Sequence, residues 1–206
     1  MSALGASIDE ARDHLRVIRQ TMERSTQYST LSGWSGILIG LVAIVGVYIT
    51  RSMLGGQPVA MHTVRDAAPR LAMLWGAALL LAVAIEFLYN KRRAARVGKR
   101  VVSRLGAHII LAALPAFLAG GVLTAFFYEH NLVPYILGIW MLCYGLAIAA
   151  VGLFSVRNVS FLGAAFVISG AITLLMPLTI HLYMMALTFG GFHIIYGIVM
   201  ARRHGW

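Results

Sequence analysis

From residue 31 onward the chain is a succession of apolar runs about twenty residues long, broken by short polar punctuation. Six runs stand out, at about 31–50, 70–90, 106–128, 132–154, 159–176 and 178–201. A helix of that length rises about 30 Å, the thickness of the bilayer's hydrocarbon layer. Within lipid a helix satisfies its own backbone hydrogen bonds, so long apolar runs are read as helices. The pattern predicts an all-α bundle of six transmembrane helices over residues 31–206. Residues 51–69, with Arg51, Gly55, Gly56, Pro58 and Pro69, are expected to be an exposed connection, and the basic stretch 91–105 a loop.

Residues 1–30 have a different periodicity. Ser7 and Glu10 have the spacing of a capping box, and Ile8, Ala11, Leu15, Ile18 and Met22 follow at steps of three and four. Around that narrow seam four acids (Asp9, Glu10, Asp13, Glu23) balance four arginines (Arg12, Arg16, Arg19, Arg24). This predicts an N-terminal amphipathic cytoplasmic helix over 7–28, resting on the protein's own face or pairing with a second copy. A polar opening of this kind also predicts that no cleavable signal precedes the first span.

The apolar region repeats. A shift of 49 carries Phe117, Gly121 and Thr124 onto Phe166, Gly170 and Thr173; a shift of 52 carries Gly138, Tyr144 and Gly145 onto Gly190, Tyr196 and Gly197. The expected unit is a helical hairpin, used twice. Gly138, Gly145 and Gly152 recur every seven residues, as do Gly163 and Gly170, and Gly190 and Gly197, while Gly36 and Gly40 form a GxxxG pair. Such stripes predict close helix contacts for the first, fourth, fifth and sixth spans.

Composition agrees with lipid as the solvent: 60% of residues are hydrophobic and 12% charged, with a mean hydropathy of +0.81. The net charge of +10 would suggest nucleic acid in a soluble protein, but the basic residues are sorted by loop. With the N-terminus inside, inner segments hold 14 of the 17 Lys and Arg, so both termini are expected at the cytoplasmic side and no nucleic-acid partner is expected. The single cysteine, Cys143, excludes an intramolecular disulfide and is read as a packing residue.

Residues 137–177, LGIWMLCYGLAIAAVGLFSVRNVSFLGAAFVISGAITLLMP, resemble the HdeD-type acid-resistance membrane proteins, built of short repeated helix pairs with a G-x-W entry, a central glycine and a glycine-rich second helix ending in proline. That resemblance implies a six-span protein of the bacterial inner membrane with a stress-related role.

An ionisable side chain inside lipid is costly, so each one is a functional candidate. At 1.5 Å per residue Glu86 lies about 24 Å along the second span, and His193 about 21 Å along the sixth. With Tyr196 they form a candidate proton or ligand pocket. The plainer alternative has Glu86 pair with Lys91, Arg92 or Arg93. His108, one turn into the third span, could face His193 as the second axial ligand of a haem b. His62, His130 and His181 form an outer-face group, expected to be ordinary interfacial histidines. The sequence contains no nucleotide loop, no HExxH and no catalytic or metal-ligand spacing, so an enzyme is not expected. The leading functional expectation is a non-enzymatic protein that acts by helix packing with itself or a membrane partner. The alternatives are a proton-linked transporter or channel using Glu86 and His193, and a haem or quinone protein.

Overall fold

The computed structural model describes residues 33–96, 104–155 and 157–204; the expected N-terminal helix and residues 97–103 lie outside them. Among the described residues six helices are long and apolar enough to cross a membrane. The chain is therefore an all-α, multi-pass bundle suited to lipid. The first span is Gly33–Met53, the second Ala68–Arg96, the third Arg104–Glu129 and the fifth Arg157–Leu175. The fourth opens with a 3-10 turn, Val133–Tyr135, and continues as Ile136–Gly152. The sixth is composite: a 3-10 turn at Leu178–Ile180, α-helix at His181–Met185, seven residues of π-helix at Ala186–Phe192, then α-helix at His193–His204.

Glycine decides which spans meet. The first and sixth lie so close that a Cβ at Gly40 would come within 2.6 Å of the Gly190 carbonyl oxygen, and one at Gly33 within 2.5 Å of that of Gly197. The fourth and fifth pack the same way, a Cβ at Gly145 coming 2.7 Å from the Val167 nitrogen and 2.9 Å from the Gly163 oxygen. Lipid supplies no hydrophobic drive for helix association, so such close van der Waals packing holds the bundle together.

Two further contacts share one device. Thr50 donates to the Gly46 carbonyl oxygen (2.8 Å) and accepts from Trp75 Nε1 (3.1 Å), joining the first and second spans. Thr124 donates to the Gly120 oxygen (2.7 Å) and accepts from Trp140 Nε1 (3.0 Å), joining the third and fourth. In each case the indole lies over the glycine, which has no side chain to displace it.

The packing yields two triplets, spans two, one and six and spans three, four and five. They meet chiefly where His181–Phe192 touches the fourth and fifth spans, whereas the second and third spans hardly touch although they are consecutive in sequence. The expected repeat of hairpins 3–4 and 5–6 is thus not matched by like packing. Spans three and four lie together along their length, but five leans on four and six on one.

Two expectations about the connections need correction. Residues 51–69 are not a wholly exposed loop: Leu54, Val59, Val64, Ala67 and Ala68 are buried against Val133 and Leu182, and Met61–Arg65 is helical. Their apolar side chains fold down over the helix ends, while Gly55 and Gly56, at φ 62° and 74°, turn the chain. The basic stretch does not begin as a loop either, because the second span runs on to Arg96. Lys and Arg favour helix, and no Gly or Pro occurs between Gly76 and Gly98.

Candidate functional site

Between the triplets lies a cavity of ≈ 1260 Å³ to which all six spans contribute, the fifth only through Val159 and Leu162. Its wall is apolar over most of its extent, with Trp75, Phe117, Trp140 and Phe189 among its aromatic residues. The buried connection between the first and second spans caps one end, since Leu54, Val59, Val64 and Val133 belong both to that cluster and to the lining. At the other end the first span starts beside the end of the sixth, Gly33 against Ala201, and the second carries exposed Lys91 and Arg92. Hydrogen-bonding groups gather toward that basic end.

Glu86 and Asn90 are one helical turn apart on the second span. Asn90 Nδ2 donates to Glu86 Oε1 (2.9 Å), and Ser35 of the first span also hydrogen-bonds the carboxyl group. Asn90 is buried, and its Oδ1 has no partner among the described residues. Glu86 forms no ion pair with Lys91 or Arg92, which are exposed beyond it; the side chain of Arg93, the third expected partner, lies outside what the structure describes. Glu86 is instead within electrostatic reach of Tyr144 and Tyr196. Tyr196 presents a buried hydroxyl without a partner among the described residues.

His193 sits where the π segment returns to α-helix. Its Nε2 is 2.7 Å from Tyr144 Oη on the fourth span, the tautomer deciding which of the two donates. The ring is 5.4 Å from Phe166 and stacks near Phe189, centroid to centroid 6.2 Å. The carbonyls of Phe189 and Thr188 lie close to the ring, yet Nδ1 makes no well-formed hydrogen bond. A π turn carries one residue more than an α turn, which rotates the remainder of the helix about its axis. Here it separates the Gly190 contact with Ile44 from the His193 contact with Tyr144.

Of the residues singled out from sequence, Glu86, His193 and Tyr196 line this one cavity. His108 does not: it is exposed on the third span and outside the lining, so it does not face His193 across the cavity as an axial pair requires. Met141, the repeat counterpart of His193, is fully buried beside Phe166 and receives the Thr173 hydroxyl at 3.4 Å.

Of the three histidines expected at the outer face, His181 and His130 have unlike surroundings. His181 is fully buried, with Nδ1 3.3 Å from the Pro134 carbonyl oxygen and Nε2 3.2 Å from that of Met176, and its ring meets Tyr135 edge-on. It ties the fifth-to-sixth turn to the start of the fourth span, because both turns leave carbonyls that no helix satisfies. His130 is exposed and stacked on Phe126, with Nδ1 2.8 Å from the Phe126 carbonyl oxygen. His62 lies in the short helix Met61–Arg65. Among the described residues no group of three His, Cys, Asp or Glu is placed to hold a metal ion.

Sequence reasoning missed Asn90 and Ser35; it read Tyr144 as a packing residue whose hydroxyl bonds across the bundle, without naming His193 as the partner. The four-residue step from Glu86 to Asn90 was the available signal. Comparisons with protein-family profiles, with curated proteins and with solved structures find no match in any of the three. The likeness of residues 137–177 to HdeD-type proteins therefore stands on those residues alone.

Proposed function

We propose that this integral membrane protein is a non-enzymatic binding protein that takes an amphiphile into the cavity between its triplets. The observation that carries this reading is the polarity gradient of the cavity. A long aromatic and aliphatic body leads to one end where Glu86, Asn90, Tyr196 and His193 converge. An amphiphile has the same division, and polar groups few in number but well placed are what fix a ligand's orientation in an apolar site. The sparse contact between the second and third spans supports entry from the bilayer. The charge distribution supports a cytoplasmic position for the polar end, in an inner-membrane protein with N-in and C-in topology.

A neutral apolar dye, N-phenylnaphthylamine, tests the reading through energy transfer from tryptophan. Saturable binding is expected at one dye per chain, and it should fall at least tenfold in Gly121→Phe. Gly121 lines the cavity, and a Cβ there meets no atom within 4 Å, so the bulk is placed in open space. Equal binding by both proteins would remove the cavity as the site.

A second reading, association with itself or a membrane partner, is favoured by one observation. Gly76 and Gly121, on the two spans that hardly touch, have no neighbour against them, unlike the seam glycines. A monomeric mass by light scattering at every concentration tested would dismiss self-association.

A further inference from the structure

The balance of charge and hydrogen-bonding groups at the polar end narrows the ligand. Among the described lining residues Glu86 is the sole Asp, Glu, Lys or Arg, and no ion pair joins it to Lys91 or Arg92. A carboxylate held away from water needs a countercharge or a proton, because desolvating an uncompensated charge costs several kcal/mol. Two donors already serve this carboxyl: Asn90 Nδ2 is on Glu86 Oε1, and Ser35 bonds the same group. What remains open includes acceptors, namely Asn90 Oδ1 and the unused lone pairs of the carboxyl group, together with the Tyr196 hydroxyl, which can donate or accept, and His193 Nδ1. Asn90 is buried with only 6% of its surface exposed, so its unpaired oxygen is a cost that a ligand can remove. An anionic head would meet Glu86 with no Lys or Arg among the described lining residues to compensate it.

We infer that the cavity selects an amphiphile with a protonated amine head, Glu86 being its countercharge and Asn90 Oδ1 accepting one of its N–H groups. This inference rests on the binding reading above and specifies the chemistry of that same site. Glu86 acts as a ligand-binding residue and the Ser35 hydroxyl as a positioning group. His193, held by Tyr144, serves as a wall of the head site.

Three probes with one alkyl chain and different heads test it: dodecylamine, dodecanol and dodecanoate, each displacing N-phenylnaphthylamine from the full-length protein in a non-ionic detergent near neutral pH. Dodecylamine is expected to displace the dye at the lowest concentration, dodecanol next and dodecanoate last. In Glu86→Gln dodecylamine should weaken about 30-fold or more, the scale of losing one partner of a desolvated charge pair. Dodecanol should change less than threefold, which also shows that the variant is folded. Dodecanoate competing as well as dodecylamine in the wild-type protein would overturn the inference without reference to any variant, as would undiminished dodecylamine binding in Glu86→Gln. Displacement by dodecanol alone would reject the amine head yet leave the cavity reading standing. Failure of all three probes, with dye binding unaffected by Gly121→Phe, would reject both.

Discussion

Tyr144 and His193 show what a single polar contact does in this bundle. The hydrogen bond between them spans 2.7 Å and joins the fourth span to the sixth, across the two triplets. Tyr144→Phe removes the hydroxyl while keeping the ring against Phe166 and Phe189. A loss of about 1 kcal/mol is expected, since polar contacts in membrane proteins are modest when the unfolded chain also finds partners. Unfolding by dodecyl sulfate titration would measure it, and an unchanged midpoint would mean the contact does not bind the triplets. His181 is worth more, because His181→Ala removes a fully buried ring whose N–H serves the Pro134 or the Met176 carbonyl, the tautomer deciding which, and leaves a cavity in its place. A cost of about 2 kcal/mol is expected, with faster amide exchange confined to the turns near Pro134 and Met176; exchange unaltered there would deny the histidine its role as a tie. At this scale sequence found the costly residues but not their partners. Glu86 and His193 are conspicuous in apolar runs, whereas Tyr144, Asn90 and Ser35 are polar types that membrane helices carry routinely. His181 looked interfacial because its position near a span end was legible and its burial was not.

The helices divide into those whose contacts sequence foretold and those whose shape only packing determines. Glycines spaced by seven marked the faces of the fourth, fifth and sixth spans, and the GxxxG pair that of the first; those faces do pack tightly. Spacing could not say which face met which, so the first-to-sixth contact that closes one triplet was illegible. The π segment was equally hidden, as no local residue preference distinguishes ALTFGGF from an ordinary α-helical stretch. Gly145→Leu is expected to cost about 3 kcal/mol, because the new side chain must displace the Val167 backbone and the Gly163 carbonyl. Gly121→Ala, in open space, should be neutral or slightly stabilising through helix propensity. Melting of the two variants in one detergent compares them directly. Equal effects would show that the seams do not distinguish packed glycines from free ones.

For the molecule as a whole, the number and length of the spans were legible in hydropathy, because lipid imposes one secondary structure and one length scale. The cavity was not, since it exists only where the second and third spans fail to close a contact. Two triplets with tight internal seams and sparse contacts between them leave room for a guest of roughly lipid-like dimensions. The Thr–Trp pairs, Thr50 with Trp75 and Thr124 with Trp140, hold the paired spans in register and place an indole in each wall of that space. Native mass spectrometry of the protein, released from a mild detergent beside Gly121→Phe, tests the central claim most directly. The expected spectrum shows one amphiphile retained per wild-type chain at energies that strip surface lipid, and none on the variant. Identical adducts on both proteins, or a wild-type chain that flies bare, would contradict a binding cavity between the triplets.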